Sequence, residues 1–153
     1  MRAVVQRVKW AKVEVLSRPV GEIGPGLLIL LAVNREDTIQ EVKWLARKIV
    51  SLRIFSDSED KLNLSLKEVD GQVLVVSQFT LYGDCRKGCR PSYTHSAPPE
   101  VARRLYQEFI DELHTYGCRV QQGEFQAHME VSLLNHGPVT IIVDTPHSSK
   151  EGT

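Results

Sequence analysis

Two short segments carry the residues best suited to chemistry. One is Ser77-Gln78-Phe79-Thr80, which closes the apolar run Val73-Leu74-Val75-Val76. The other is Asn135-His136-Gly137-Pro138-Val139-Thr140, set between Val131-Ser132-Leu133-Leu134 and Ile141-Ile142-Val143. Hydroxyls, amides and a Gly-Pro step where strands end are materials for a site built on rigid backbone. Taken alone, Ser77 and Thr80 also suit a strand end whose hydroxyls bond to neighbouring backbone. A nucleophilic Thr80 needs a base beside it. No His or Lys flanks it, and the nearest basic residues are Arg86 and Lys87. Donor and positioning roles for Ser77, Gln78, Phe79 and Thr80 therefore fit better than covalent catalysis.

Gly137-Pro138 reads as a plain turn on base rates. Yet Pro138 is followed at once by the strand-forming run Val139-Thr140-Ile141-Ile142-Val143. A proline inside a sheet removes a ladder donor and leaves carbonyls fixed in direction. Such carbonyls can line a pocket without any side chain. The loop Arg86-Lys87-Gly88-Cys89-Arg90 concentrates three cations beside a flexible glycine. It is either a solvated loop or a contact for a phosphate backbone. Phe125 and Met129 are core filler that could also face a pocket. His136 is either a general base or an exposed strand-end histidine. Cys85, Cys89 and His95 fall short of the four ligands a structural zinc wants, unless Cys118 or another His joins them. No metal and no cofactor is expected.

The elements that must position these residues follow from composition and pattern. The chain has 153 residues, enough for one domain, placed at residues 1–145. Lys+Arg and Asp+Glu are both 19, so no global charge draws the protein to nucleic acid. Three cysteines make no disulfide framework, and no apolar run approaches the ~20 residues of a membrane span. The expectation is a soluble cytoplasmic protein. The tail from Thr145 is polar with nothing to bury, and residues 146–153 are expected to be disordered.

Ala3 to Leu16 alternates as a strand with a bend near Trp10-Ala11. Gly24-Pro25-Gly26 is a turn, and Leu27 to Val33 a fully buried strand. Thr38-x-x-Glu41 has capping-box spacing, and Ile39, Val42, Leu45, Ile49 and Leu52 form the stripe of a first helix. Ile54-Phe55 begins a short strand, and Val73 to Phe79 forms a central one. A second helix starts near Ser96, with Pro98 and Pro99 in its first turn. Val101, Leu105, Phe109 and Leu113 are its stripe, and Gly117 its stop. Strands at 127–134 and 139–143 finish the domain. This is an α+β pattern: two main helices with a largely antiparallel sheet, or a barrel-like β structure.

With these residues in view, the chain resembles the D-aminoacyl-tRNA deacylases over nearly all its length. The resemblance rests on Met1-Arg2-Ala3-Val4-Val5-Gln6-Arg7-Val8, Gly21-Glu22-Ile23-Gly24-x-Gly26-Leu27-Leu28 and Arg53-Ile54-Phe55-Ser56-Asp57. It rests further on Leu74 to Leu81, Arg90-Pro91-Ser92 and Met129-x-Val131-x-Leu133-x-Asn135-x-Gly137-Pro138-Val139-Thr140. His136 stands where the family has an acidic residue, and Gln126 where it has Gly. Ala32 and Leu62 are milder departures.

The resemblance implies a homodimer with an active site at each subunit boundary. The Gly137-Pro138 peptide would be cis and would reach into the partner's pocket, held in place by Arg7. Asn135, Val139, Thr140, Phe125 and Met129 would complete the substrate surface, and Arg86, Lys87 and Arg90 would meet the tRNA backbone. The substrate implied is tRNA whose terminal adenosine carries a D-amino acid or glycine as an ester, with the tRNA 2′-OH assisting attack. Two other classes fit parts of the pattern. One is a non-enzymatic RNA-binding module using Arg86, Lys87 and Arg90. The other is a small esterase or peptidase using Thr80 or Ser77 with His136.

Overall fold

The computed structural model describes residues 1–146, and the tail expectation for 147–153 lies outside the described residues. Strand β1 (Arg2–Val15) is the axis of the molecule. Its first half pairs antiparallel with β3 (Gly26–Ala32), from Arg2↔Ala32 to Val8↔Gly26. Its second half pairs antiparallel with β2 (Arg18–Ile23), from Ala11↔Ile23 to Val15↔Arg18. The register of β1 against β8 (Glu130–Asp144) slips twice, between Gln6 and Val8 and again between Val8 and Trp10. The buried side therefore changes from Ala3, Val5 and Arg7 to Val8, Ala11 and Val13. That is the expected bend, placed slightly earlier.

A parallel arm extends the sheet. β6 (Gln72–Ser77) runs parallel to β3, from Gly26↔Gln72 to Leu31↔Ser77. β7 (Arg119–Gln122) runs parallel to β6. The strand order is β2-β1-β3-β6-β7, with β8 on β1, so the sheet is mixed with a mainly antiparallel half. A Cβ on Gly21 of β2 would lie 2.9 Å from the Gln122 carbonyl of β7, so the two ends of that order nearly close a barrel. A short hairpin, β4 (Phe55–Ser56) and β5 (Leu62–Leu64), stands apart.

Both faces of the β3–β6 core are covered, which explains its uninterrupted apolar sequence. Leu27, Ile29, Leu31, Val73 and Val75 face the helices. Leu28, Leu74 and Val76 face inward with Val8, Ala11, Val13 and Ile23. Helix α1 (Ile39–Ser51) begins at the expected capping box, where Thr38 N–H donates to Glu41 at 2.7 Å. Helix α2 (Pro99–Thr115) starts with Pro98 and Pro99 at its first positions and stops before Gly117, at φ +79°. Both stripes pack on the same core.

Four expectations change. The central strand ends at Ser77, and Phe79–Tyr82 forms a 3-10 turn. The last two strands are one 15-residue strand running through Gly137-Pro138. β2 and β7 appear where no strand was read. Thr145, read as the start of a loose tail, is buried. Its N–H donates to the Met1 carbonyl at 2.9 Å, and its hydroxyl meets the Met1 ammonium, which also pairs with buried Asp37 at 2.7 Å.

Candidate active site

Ser77 is the last rung of the β3–β6 ladder. One residue on, Gln78 N–H donates to the Leu31 carbonyl at 2.8 Å, and the chain then turns. Within the turn Leu81 N–H donates to the Gln78 carbonyl at 3.2 Å, and Gly83 N–H to that of Thr80 at 2.9 Å. The Phe79 and Thr80 N–H groups, at the head of this turn, have no acceptor among the described residues. A short helical turn leaves its first donors free. The Gln78 amide donates to the Thr80 hydroxyl. Ser96 Oγ holds the Phe79 carbonyl at 3.3 Å, and the Tyr93 ring meets the Phe79 ring edge-on at 5.2 Å.

This strand end opens onto a cleft of about 680 Å³. Ser77, Gln78 and Phe79 form one wall, Tyr93, Ser96 and Pro99 a second, and Phe125 to Met129 a third. Ala102 and Tyr106 of α2 also line it. Tyr106 donates its hydroxyl to the Val75 carbonyl at 3.0 Å, and burial pushes its phenol well above the usual range. The volume falls in the general range of small-molecule sites. Gln126, on the third wall, sits in the left-handed region at φ +66°.

Of the expected residues, Ser77, Gln78, Phe79, Phe125 and Met129 line this cleft, while Thr80 stands just beyond its wall. Asn135, Gly137, Pro138, Val139 and Thr140 do not line it. They lie where β8 leaves β1: Gln6 pairs with Thr140 and Val8 with Asn135, so four residues face Arg7 alone. Arg7 is only 6% exposed. Its Nε donates to the His136 carbonyl at 2.8 Å, and its Nη1 to the Ile54 carbonyl at 2.9 Å. The Gly137-Pro138 peptide is cis and both residues are exposed.

Arg86 is clamped by Asp84, Nε to Oδ1 at 2.9 Å and Nη2 to Oδ2 at 2.6 Å. Those bonds hold the Asp84 carboxyl down to about 2. Lys87 and Arg90 are exposed on the same loop and form no ion pair among the described residues. Cys85 and Cys89 are exposed free thiols, and among the described residues no three metal-binding side chains gather. A second hollow of about 510 Å³ lies by β5 at the C-terminal ends of α1 and α2, between Arg53, Lys67 and Tyr116. None of the expected site residues lines it, so the larger cleft is the candidate.

A sequence model of the family described as D-Tyr-tRNA(Tyr) deacylase matches residues 4–144. The chain belongs to this family. Similar relatives are named D-aminoacyl-tRNA deacylase. One from Desulfatibacillum aliphaticivorans is 59% identical, covering 95% of this chain and 99% of its own. One from Thermosipho africanus is 57% identical, covering 95% and 97%. A solved structure described as c-Myc DNA Unwinding Element Binding Protein matches at TM-score 0.90 and 38% identity, covering 95% and 99%. A probable eukaryotic D-amino acid tRNA deacylase matches at TM-score 0.81 and 19% identity, covering 93% and 97%, a likeness of fold. The deacylase family thus accounts for the whole sheet, both helices and both segments.

Sequence reading missed several residues of the deacylase cleft. Tyr106 adjoins the α2 stripe and reads as core, though a buried tyrosine's need for a partner is a signal. Tyr93, Ser96 and Ala102 carry no pattern of their own. Among the described residues no helix is long and apolar enough to cross a membrane.

Proposed function

We propose that this chain, acting as one domain over residues 1–145, hydrolyses the ester of D-aminoacyl-tRNA and spares the L form. The observation that carries the reading is the pair of unclaimed N–H groups on Phe79 and Thr80, beside a cleft of about 680 Å³. Donors fixed on backbone can stabilise the oxyanion that forms as water or a 2′-OH attacks an ester; one such donor is typically worth about 10²–10³ in rate. Ser77 and Gln78 position the ester. Phe125 and Met129 hold the terminal nucleoside. Thr80 serves through its backbone. An aminoacyl ester is reactive enough for the tRNA's own 2′-OH to assist, with no essential side-chain nucleophile.

Stereochemistry is assigned to the Asn135–Thr140 bulge. Once the substrate's ammonium and ester are pinned, chirality decides where the side chain points. Proline locks φ, so Gly137-Pro138 presents carbonyls in fixed directions, able to accept from the ammonium and to wall off the L side chain. Glycine has nothing to clash and is cleaved too. The bulge does not line its own cleft, which supports a homodimer in which each protomer completes the other's site. Exposed apolar neighbours on β1 and β8 support the same arrangement: the cross-strand pair Trp10 and Leu134 are 41% and 46% exposed. Contiguous exposed apolar side chains mark association surfaces. Lys87 and Arg90, with Arg86, meet the tRNA backbone, and the cytoplasm is where such a substrate is found.

The test is turnover of D-tyrosyl-tRNA against simple D-tyrosine esters by the purified chain. Turnover of the tRNA ester with the simple ester left intact supports the proposal. Binding of tRNA without turnover, or cleavage of the simple ester alone, would replace it with an RNA-binding module or a general esterase.

A further inference from the structure

The cleft mouth holds a cation that the reading above leaves without a task. Arg103 lies on α2 one residue after Ala102, which lines the cleft. Its guanidinium carbon sits 4.8 Å from the centre of the Phe125 ring. Its Nη2 donates to Gln126 Oε1 at 3.0 Å. Phe125 leans in turn on Tyr106, ring centres 5.6 Å apart. The guanidinium is therefore held at the rim by an aromatic face and a neutral amide.

Two observations separate this from an arginine that merely covers apolar surface. First, among the described residues no carboxylate pairs with Arg103. Arg2, Arg86, Arg104 and Arg119 each pair with a carboxylate, but among the described residues Arg103's one acceptor is neutral. Second, Gln126 holds a backbone conformation that favours glycine, at φ +66°. What a glutamine adds there is its side-chain amide, and that amide is spent on Arg103. That amide and the Phe125 ring hold a planar donor fork with free N–H groups beside the cleft.

We propose that Arg103, oriented by Gln126 and Phe125, binds a phosphate of the single-stranded RNA end that leads into the cleft. Guanidinium forks match phosphate oxygens better than any other side chain does. The inference rests on the proposed tRNA-ester substrate, and it places the strand's path over α2 rather than only over the 86–90 loop.

The test is binding, so it does not depend on turnover. A fluorescein-labelled RNA hairpin ending in single-stranded CCA is titrated against wild type, Arg103→Ala, Arg103→Lys and Gln126→Gly at several salt concentrations. Gln126→Gly is compatible with the same backbone conformation and removes the side chain, amide included. Arg103→Ala should weaken binding about tenfold and reduce the salt slope by about 0.7, the value of one phosphate contact on a single strand. Arg103→Lys should restore the slope and only part of the affinity. Gln126→Gly should weaken binding with the slope kept. Unchanged affinity in Arg103→Ala, or weaker binding with an unchanged slope, would overturn the phosphate assignment. No binding by the wild type would instead sink the tRNA reading itself.

Discussion

Arg7 and His136 are joined guanidinium to carbonyl at 2.8 Å, at the one point of the β1–β8 ladder where four residues face one. The second arm of the same guanidinium holds the Ile54 carbonyl at 2.9 Å. A buried side chain thus stands in for missing ladder bonds and braces the Gly137-Pro138 bulge from beneath. Arg7→Ala leaves two carbonyls without their charged donor. It should destabilise the fold by about 2–3 kcal/mol in urea unfolding and should raise L-aminoacyl-tRNA cleavage relative to D. Unchanged stability together with an unchanged D-to-L ratio would remove Arg7 from the account.

Thr80 presents its hydroxyl to Gln78, just outside the cleft wall. Thr80→Ala removes that hydroxyl but keeps the N–H. Single-turnover deacylation should fall by no more than about tenfold, short of the 10²–10³ that a lost oxyanion donor costs. A folded, inactive Thr80→Ala would restore the nucleophile.

Arg86 holds the Asp84 carboxyl down to about 2, below the ordinary carboxylate range. A depressed folded-state value contributes stability that is complete above the unfolded carboxyl range. That contribution is lost as pH falls through about 4 toward 2. The Asp84 carboxyl carbon should titrate near 2 by NMR. With its charge already matched, Arg86→Ala should weaken tRNA binding less than Arg90→Ala. A titration midpoint near 4 would mean the clamp is open in solution.

Gly26 opens β3, where an added Cβ would overlap the Gln72 backbone of β6. Backbone cannot yield there without parting β3 from β6. Gly26→Ala should cost about 3 kcal/mol in urea unfolding, at the upper end of overpacking effects, and should lower activity through the Ser77 strand end. Wild-type stability in that variant would mean the two strands are less closely joined.

Legibility in the sequence tracked burial. Leu27 to Val33 and Val73 to Val76 read as strands because helices cover one face and the inward cluster the other. The helix at Thr38 read correctly because its cap is local. β7 was not legible: Arg119–Gln122 is an edge segment with little to bury, so it shows no apolar alternation. β8 was read as two strands because Pro138 breaks the ladder, and its repair comes from Arg7, far away in sequence. Ser77 and Gln78 stood out by their hydroxyl and amide beside a buried strand, and with Phe79 they line the candidate cleft. The contacts of Arg103 with Phe125 and Gln126 carried no such signal, since those residues come from another element.

Most depends on discrimination between tRNA esters that differ only in the configuration of the amino acid. The decisive measurement is the rate of ester cleavage by the wild-type chain on one tRNA charged with D- and then with L-tyrosine. The account predicts that the D form is cleaved faster by about 10²-fold or more, the scale on which a rigid steric wall discriminates. Equal rates, or faster cleavage of the L form, would contradict it.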